Sequence, residues 1–496
     1  MNSVDSLTES LRSLNLDKGF ISLSQQGKPQ LCYESYYFRQ NGKPNKDGKI
    51  NWRCIVKNCT GTCSTYSNCV GESVLVTYHK NSHLNHPTSP NKLKLMERRR
   101  MIGIKAGMSD EKPRKILNEL KDEVMSDELV AVSSSYNADR QFINRTKRKK
   151  QPDYPPAPIQ LSEICFPDFL TLTKKNERFL FYDSGKEEKD RFFIFTTDLN
   201  LKNLENSHIF LDGTFDIAPK LFAQVYTAHA LIEGRCFPMV YGLLSRKNEE
   251  MYTNFLTAVK NKLVKNPLSI TSDFEKAFLN ASEKIFPDVK LNGCFFHFKQ
   301  SMWRKITDLG LRQLYNDDEG VRHLLKLPQA LAFIPPEDVI YGFNLIKSKV
   351  VNKDVLDFYT YVEDFYVGKE TFQKIGRGRG RKEVLVYQEP LFKIEVWNVF
   401  GRVSDCLPRT NNYVEAWHNA FSKMLNKHPS VYSLVNSFIQ EQKRVDYELI
   451  KLRTGIQYKR RPKYMLLDDR IKCILKNYSR ENIEETLKNL SLIIRY

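Results

Sequence analysis

The hydrophobic pattern changes character along the chain. From Phe20 to about Thr77, short β-prone runs alternate with turn residues. Residues 20–23, 30–33, 36–39, 52–55 and 73–77 predict the strands of a small antiparallel sheet, punctuated by Gly27, Asn41-Gly42, Asp47-Gly48 and Gly71. Residues 91–150 are instead basic, and Pro113 opens a predicted helix with Ile116, Leu117, Leu120 and Val124 at helical spacing. The proline-rich stretch 151–158 reads as a stiff linker and domain boundary.

Beyond the linker the pattern is mixed α/β. Residues 179–182 and 191–195 predict a hairpin around Ser184-Gly185, and the apolar run from Ile209 to Phe215 predicts a central strand. Strands at 223–232 and 236–244, joined by Glu233-Gly234, would complete an antiparallel meander. Asn248 caps a helix carrying Tyr252, Phe255, Leu256, Val259 and Leu263. A strand at 268–271 leads to Asp273 and a helix through Phe286; another at 289–296 leads to a helix through Trp303 and Ile306. This is the order of an RNase H-like sheet with helices on both faces. From 308 to 404 the strands stop, and helices near 321–327, 339–346 and 355–366 are broken by Pro328 and Pro335-Pro336.

The pattern therefore predicts a multidomain α/β protein. Residues 1–19 form a disordered N-terminus, 20–90 a small antiparallel-β domain, and 91–158 a basic helical segment with its linker. An RNase H-like core comprises 159–307 and 405–440, interrupted by an all-helical insertion at 308–404 and followed by a basic helical C-terminal region at 441–496.

Composition narrows the function classes. With 41% hydrophobic and 12% aromatic residues, most of the 496-residue chain can fold. Its net charge of +19 suits a polyanionic partner, because each phosphate contacted releases counterions. Residues 1–19 lack the apolar core of a signal peptide, and no run approaches the roughly 18 apolar residues of a membrane span. Ten cysteines in such a context argue for metal binding over a disulfide framework.

Basic residues cluster in places. Between Arg140 and Lys150 lie six basic residues and no acid, ending in Lys147-Arg148-Lys149-Lys150: a nuclear import signal, a DNA-backbone contact or a solvated linker. Arg377, Arg379 and Arg381 alternate with glycine in a loop suited to a DNA backbone or minor groove, or simply to solvent. Residues 443–463 hold eight basic residues, including Arg460, and two acids, which fits a helix facing DNA or a solvated amphipathic helix.

Two candidate metal sites emerge. Cys54-x4-Cys59 and His83-x2-His86 are separated by 23 residues and offer zinc four N/S ligands, a clip that a sheet too small to bury its own core needs. Cys63, Cys69 and His79 are substitute ligands. The other site would combine Asp212, Asp273 and Glu415. Each also has a plain structural explanation: Asp212-Gly213 as a hairpin turn, Ser272-Asp273-Phe274-Glu275 as a capping box, Asn412-x2-Glu415 as a similar cap. Together they could hold two Mg²⁺ ions about 4 Å apart. Asp216 falls on the face of Asp212 if the strand stays regular, and Cys294 and His297, at a strand end, are either core residues, half a zinc site or a contact to DNA.

Residues 20–90 resemble a FLYWCH-type zinc finger. The likeness rests on Gly27-Lys28-Pro29-Gln30-Leu31, Tyr36-Tyr37-Phe38, Trp52-Arg53-Cys54, Cys59-x-Gly61-Thr62 and the histidine pair before Pro87, whose spacing of two intervening residues departs from the family's usual one. From about Phe179 to Lys423 the chain resembles Mutator-like (MULE) transposases. This rests on Leu211-Asp212-Gly213-Thr214-Phe215, Ser272-Asp273-Phe274-Glu275, Gly293-Cys294-x2-His297-Phe298-x-Gln300, Trp397-Asn398, and Leu407 through Asn412 followed by Glu415-x-Trp417-His418-Asn419.

The resemblance implies that Asp212, Asp273 and Glu415 form a DDE triad, with zinc in the finger and Mg²⁺ or Mn²⁺ in the core. It implies a nuclear transposase that cleaves and joins double-stranded DNA, both transposon ends and target, with room for a homo-oligomer on the DNA and no membrane partner. The alternative is a domesticated derivative, a DNA-binding transcriptional regulator that no longer transposes.

Overall fold

The computed structural model describes residues 18–24, 26–80, 83, 85–108, 112–120, 127–150, 152–375, 382–456 and 462–494. Val124, Arg377, Arg379, Arg381, Arg460 and most of the segment 1–19 lie outside the described residues. The chain divides into two compact units, Met1–Asp153 and Tyr154–Tyr496, at a point inside the proline-rich stretch.

The first unit holds a seven-stranded antiparallel sheet in the order β6-β1-β2-β3-β4-β5-β7. Its strands are β1 (Lys18–Leu23), β2 (Pro29–Tyr33), β3 (Tyr36–Gln40), β4 (Ile50–Cys54), β5 (Thr62–Thr65), β6 (Ser73–Leu75) and β7 (Tyr78–Lys80). Period-two alternation is clearest in β4: Ile50, Trp52 and Cys54 point inward while Asn51 and Arg53 are exposed. The buried Trp52 ring packs with Ile21, Leu31 and Phe38, and its indole N–H donates to Thr65 Oγ1 at 2.8 Å. Helices Pro90–Met108, Pro113–Glu119 and Tyr136–Lys150 follow, joined by a small core of Ile102, Ala106, Ile116, Leu117 and Ile143.

The second unit is organised by a mixed sheet of seven strands ordered β14-β13-β10-β11-β12-β9-β8. These are β8 (Leu180–Asp183), β9 (Phe193–Phe195), β10 (His208–Thr214), β11 (Gln224–Ile232), β12 (Arg235–Leu244), β13 (Ser269–Ser272) and β14 (Lys290–Gly293). β10, β11 and β12 form the antiparallel meander, turning at Glu233-Gly234 where both residues have positive φ. β13 joins β10 in parallel, and β14 joins β13 in parallel.

Both faces of this sheet are covered. Tyr226 packs against Tyr252, Phe255 and Phe278 from helices Glu249–Lys260 and Lys276–Ile285. Tyr241 pairs across from Thr227, hence on the opposite face to Tyr226, and packs against Trp417 and Phe438. Asn248 caps its helix as expected, accepting from Met251 N–H at 2.9 Å.

Several expectations are corrected. The insertion is not all-helical: β15 (Lys369–Ile375) pairs antiparallel with β16 (Lys382–Gln388). The strands flank the Gly-Arg loop, and their β-branched and aromatic residues, Thr371, Phe372, Val384, Val386 and Tyr387, are the composition a ladder favours. Pro328 does not break its helix, which runs from Glu319 to Ala330 with the proline in its last turn. β14 stops at Gly293 rather than continuing to Phe296. Phe295, Phe298, Met302 and Ile306 recur at helical spacing as the buried face of helix Phe295–Asp308, so Cys294 stands before a helix and not in a strand. The C-terminal helices Pro462–Lys476 and Ile483–Ile493 bury Ile471, Leu487 and Leu490 in the same core as the insertion's Leu325, Phe343 and Trp397. Among the described residues no helix is long and apolar enough to cross a membrane.

Candidate active site and metal centre

In the first unit, Cys54, Cys59, His83 and His86 bring their ligand atoms within 4.8 Å of one another. Cys54 ends β4, and Cys59 follows a tight turn with Asn58 at φ +64°. Cys54 Sγ lies 3.4 Å from His86 Nε2, Cys59 Sγ 3.3 Å from His83 Nδ1, and the two histidine nitrogens are 3.2 Å apart. Zinc bonds of about 2.3 Å to sulfur and 2.0–2.1 Å to nitrogen, at the tetrahedral angle, would put these atoms about 3.3–3.6 Å apart. The spacing of these atoms suits a tetrahedral zinc held by the four residues.

The surroundings fix the ligand directions. Tyr36 stacks on His83 with centroids 3.7 Å apart, and His86 Nδ1 is 3.3 Å from the Pro87 carbonyl. At Gly61 a Cβ would lie 2.4 Å from the His83 ring, so only glycine allows this approach. Of the substitute ligands, Cys63 and His79 face each other on β5 and β7 and stand outside the cluster. Burial and the nearby Cys54 charge push the Cys63 thiol up to about 12, as expected of a core cysteine.

In the second unit, β10 and β13 position two acids. Their parallel register pairs Phe210 with Thr271; continued two positions, it sets Asp212 beside Asp273. Both therefore stand at the C-terminal end of neighbouring parallel strands, where α/β sheets bind ligands. Asp212-Gly213 makes no turn, because β10 is paired through Thr214 with β11. Nor does a capping box form at Asp273: its helix starts at Lys276 with no side-chain cap.

Glu415 arrives on helix Asn412–Lys423, which packs on β10 and β12. Asn411 precedes this helix, and its side chain makes no cap; instead Nδ2 donates to the Leu211 carbonyl at 3.3 Å, next to Asp212. The Asn411 backbone N–H donates to Cys294 Sγ at 3.2 Å. Cys294, His297 and Glu415 bring ligand atoms within 4.8 Å of one another. His297 Nε2 approaches Glu415 Oε1 at 3.5 Å, an ion-pair distance without hydrogen-bond geometry, so Oε1 is buried with no hydrogen-bond partner among the described residues.

The acids share one electrostatic field. Burial raises the Asp273 carboxyl above its ordinary range, and the Asp212 and Glu275 charges add to the effect. Burial likewise raises Glu415, with Asp212 repelling it and His297 and His418 partly offsetting. Burial works against a charged His297, but the Cys294 thiol and the Glu415 and Asp273 charges lift it to about 9. Glu275 is already engaged: Tyr252 OH is 3.0 Å from both of its oxygens and Lys247 Nζ is 3.3 Å away. Crowded, partly desolvated carboxylates with an orphaned oxygen suit a hard divalent cation.

Asp216 is not brought to this site. β10 ends at Thr214, which removes the regular strand that would have put Asp216 on the face of Asp212. Asp216 is exposed, 3.8 Å from Lys427. Arg148 and Lys149 are exposed at the end of helix Tyr136–Lys150 in the first unit. Sequence reasoning assigned no role to Asn411, Thr227, His229 or His418, which the structure gathers behind Asp212. The available signal was the three-residue spacing of Glu415 and His418, which puts both on one side of a helix.

Residues 208–301 match the family model of the MULE transposase domain, and residues 21–86 match that of the FLYWCH zinc finger domain. The first match runs from the start of β10 into helix Phe295–Asp308, and so includes Asp212, Asp273, Cys294 and His297. The second includes all four candidate zinc ligands. The chain thus carries a FLYWCH zinc finger domain ahead of a MULE transposase domain, which supports a transposase-like DNA-binding protein. No curated protein matches the chain.

Proposed function

We propose that the chain is a divalent-metal-dependent DNA transposase, with Asp212, Asp273 and Glu415 as its DDE triad on an RNase H-like core. The observation that carries this reading is the convergence of the acids: Asp212 in β10, Asp273 one residue past the end of the adjacent parallel β13, and Glu415 entering their field from a helix packed on β10. The strand order β12-β11-β10-β13-β14, three antiparallel then two parallel, supports the core assignment.

Asp212, Asp273 and Glu415 would hold Mg²⁺ or Mn²⁺. When bound, the metal supplies positive charge that activates a water or DNA 3′-hydroxyl and stabilises the leaving oxygen of an in-line displacement. The chain's own part is to fix the carboxylates before DNA arrives: the β10–β11 ladder holds Asp212, β13 ends one residue before Asp273, and Asn411 ties the third acid's helix to β10. The zinc finger contributes to binding element ends, and Lys147-Arg148-Lys149-Lys150 supports a nuclear location.

The test mixes the purified full chain with Mg²⁺ and duplex DNA carrying the sequences that flank its coding region, beside an Asp273→Asn variant. Wild type should cleave and join strands while the variant only binds. Binding without cleavage by wild type would overturn the transposase reading in favour of a domesticated DNA-binding regulator.

A further inference from the structure

His418 lies on the same helix as Glu415 but serves a different acid. Its Nδ1 is 3.3 Å from Asp212 Oδ2, an ion-pair distance without hydrogen-bond geometry, and its Nε2 is 3.0 Å from Thr227 Oγ1, within hydrogen-bond geometry. Thr227 is the cross-strand partner of Asp212 in the β10–β11 register, so the hydroxyl and the carboxylate share a face of the sheet. Behind Thr227 stands His229, two residues along β11, with Nε2 3.0 Å from the same hydroxyl oxygen. His229 and Thr227 are fully buried and His418 is nearly so.

With His418 neutral, donor and acceptor counts give one arrangement that uses every short contact. An ionised Asp212 only accepts, so His418 Nδ1 turns a hydrogen rather than a lone pair toward it. A neutral His418 then accepts at Nε2, and the donor is the Thr227 hydroxyl. Thr227 in turn accepts from His229 Nε2–H. Burial, with the nearby His418 adding to it, favours an uncharged His229, which suits a donor at the blind end of the chain. The contact from Thr227 Oγ1 to the Asp212 carbonyl, at 3.4 Å, is longer than either histidine contact and does not compete.

We infer that His418 is a positioning residue for Asp212: the His229–Thr227–His418 chain fixes its tautomer and thereby the direction in which Asp212 presents its carboxylate to the metal. Both His418 nitrogens are engaged, so it is not itself a metal ligand. This rests on the reading of Asp212 as a metal-holding residue. Histidines that donate to a carboxylate ligand act through orientation, and removing such a partner typically weakens metal affinity 10–100-fold.

The test separates the two nitrogens. Asparagine at this position places its amide nitrogen near the place of Nδ1, and glutamine places its own near Nε2. Mn²⁺ binding is measured by electron paramagnetic resonance on the full chain, with finger zinc retained and free zinc dialysed away. The proteins compared are wild type, Asp212→Asn, His418→Ala, His418→Asn and His418→Gln. His418→Ala and His418→Gln should weaken Mn²⁺ binding about 10–100-fold, while His418→Asn stays within about threefold of wild type. Wild-type affinity in His418→Ala would overturn the inference. So would wild-type affinity in His418→Gln alongside weakening in His418→Asn, since that is the pattern of a Thr227 contact serving only the fold. If Asp212→Asn binds Mn²⁺ like wild type, the metal-holding reading itself fails, and the inference with it.

Discussion

Asn411 and Leu211 are joined by a hydrogen bond from Nδ2 to the carbonyl oxygen, 3.3 Å long, that ties the helix of Glu415 to the strand of Asp212. Asn411 is fully buried. The loop leading into that helix is tied to the end of β14 by Arg402, also buried, which donates through Nη1 to the Gly293 carbonyl at 3.2 Å and through Nε to the Pro408 carbonyl at 2.9 Å. Asn411→Ala leaves the Leu211 carbonyl short of a donor in a dry interior, and should lower stability by about 1–3 kcal/mol. Urea unfolding followed by tryptophan fluorescence measures this, and an unchanged midpoint would show that the bond does not hold the junction.

The acids should make the metal-free fold less stable at neutral pH. Burial, then repulsion from Asp212, raises Asp273 and Glu415, so the folded chain holds protons more tightly than the unfolded chain. Stability then falls as pH rises from the unfolded to the folded pKa, and the deficit is fully present above the latter. Asp273→Asn removes the Asp273 part. Without Mg²⁺, the variant should melt above wild type at neutral pH, with the gap closing towards the ordinary carboxylate pKa of about 4. Added Mg²⁺ should raise the melting temperature of wild type more than that of the variant. Thermal melts across pH check this, and a lower-melting variant at neutral pH would contradict it.

Zinc and the fold of the first unit should be inseparable. Gly61→Ala would drive a Cβ to 2.4 Å from His83, displacing a ligand without altering any donor atom. The variant should bind zinc at least about tenfold more weakly, and chelation should abolish the β-sheet signal of the isolated wild-type segment 18–150 if it is made. Zinc titration against a competing chelator gives the first result, and circular dichroism the second. Unaltered zinc affinity in Gly61→Ala would show that the four residues are not the ligands.

Exposed Arg148 and Lys149 should contribute affinity without sequence preference. The double alanine variant should lower the slope of log affinity against log salt by about 2, equally on unrelated duplexes. Fluorescence anisotropy over a salt series measures the slope; an unchanged slope would remove this helix end from the DNA contact.

How far the pattern carries differs by element. β10 was legible because its apolar run is flanked by strands on both sides, and pairing on both edges is what overrode the Asp-Gly turn signal. β5 was not foreseen: Thr62-Cys63-Ser64-Thr65 lacks apolar alternation, and only pairing with β4 and β7 makes it a strand. Helix Pro90–Met108 is masked by its many basic residues, and the hairpin of β15 and β16 by the glycine-rich stretch between its strands. The three acids and the two Cys and two His stand out in the sequence as spaced sets, and the structure brings the Cys/His set within 4.8 Å of one another. The support behind the acids was not legible, because Asn411, Thr227, His229 and His418 gain meaning only when β10, β11 and one helix meet. Asp216 failed for the converse reason: its place depended on a strand that stops two residues short of it.

Crystals soaked in Mn²⁺ and measured for anomalous scattering test the catalytic centre most directly. If Asp212, Asp273 and Glu415 hold the divalent metal, anomalous density will lie among their carboxylates and disappear in Asp212→Asn. Density confined to Cys294, His297 and Glu415, or none near Asp212 and Asp273, would contradict the proposed triad.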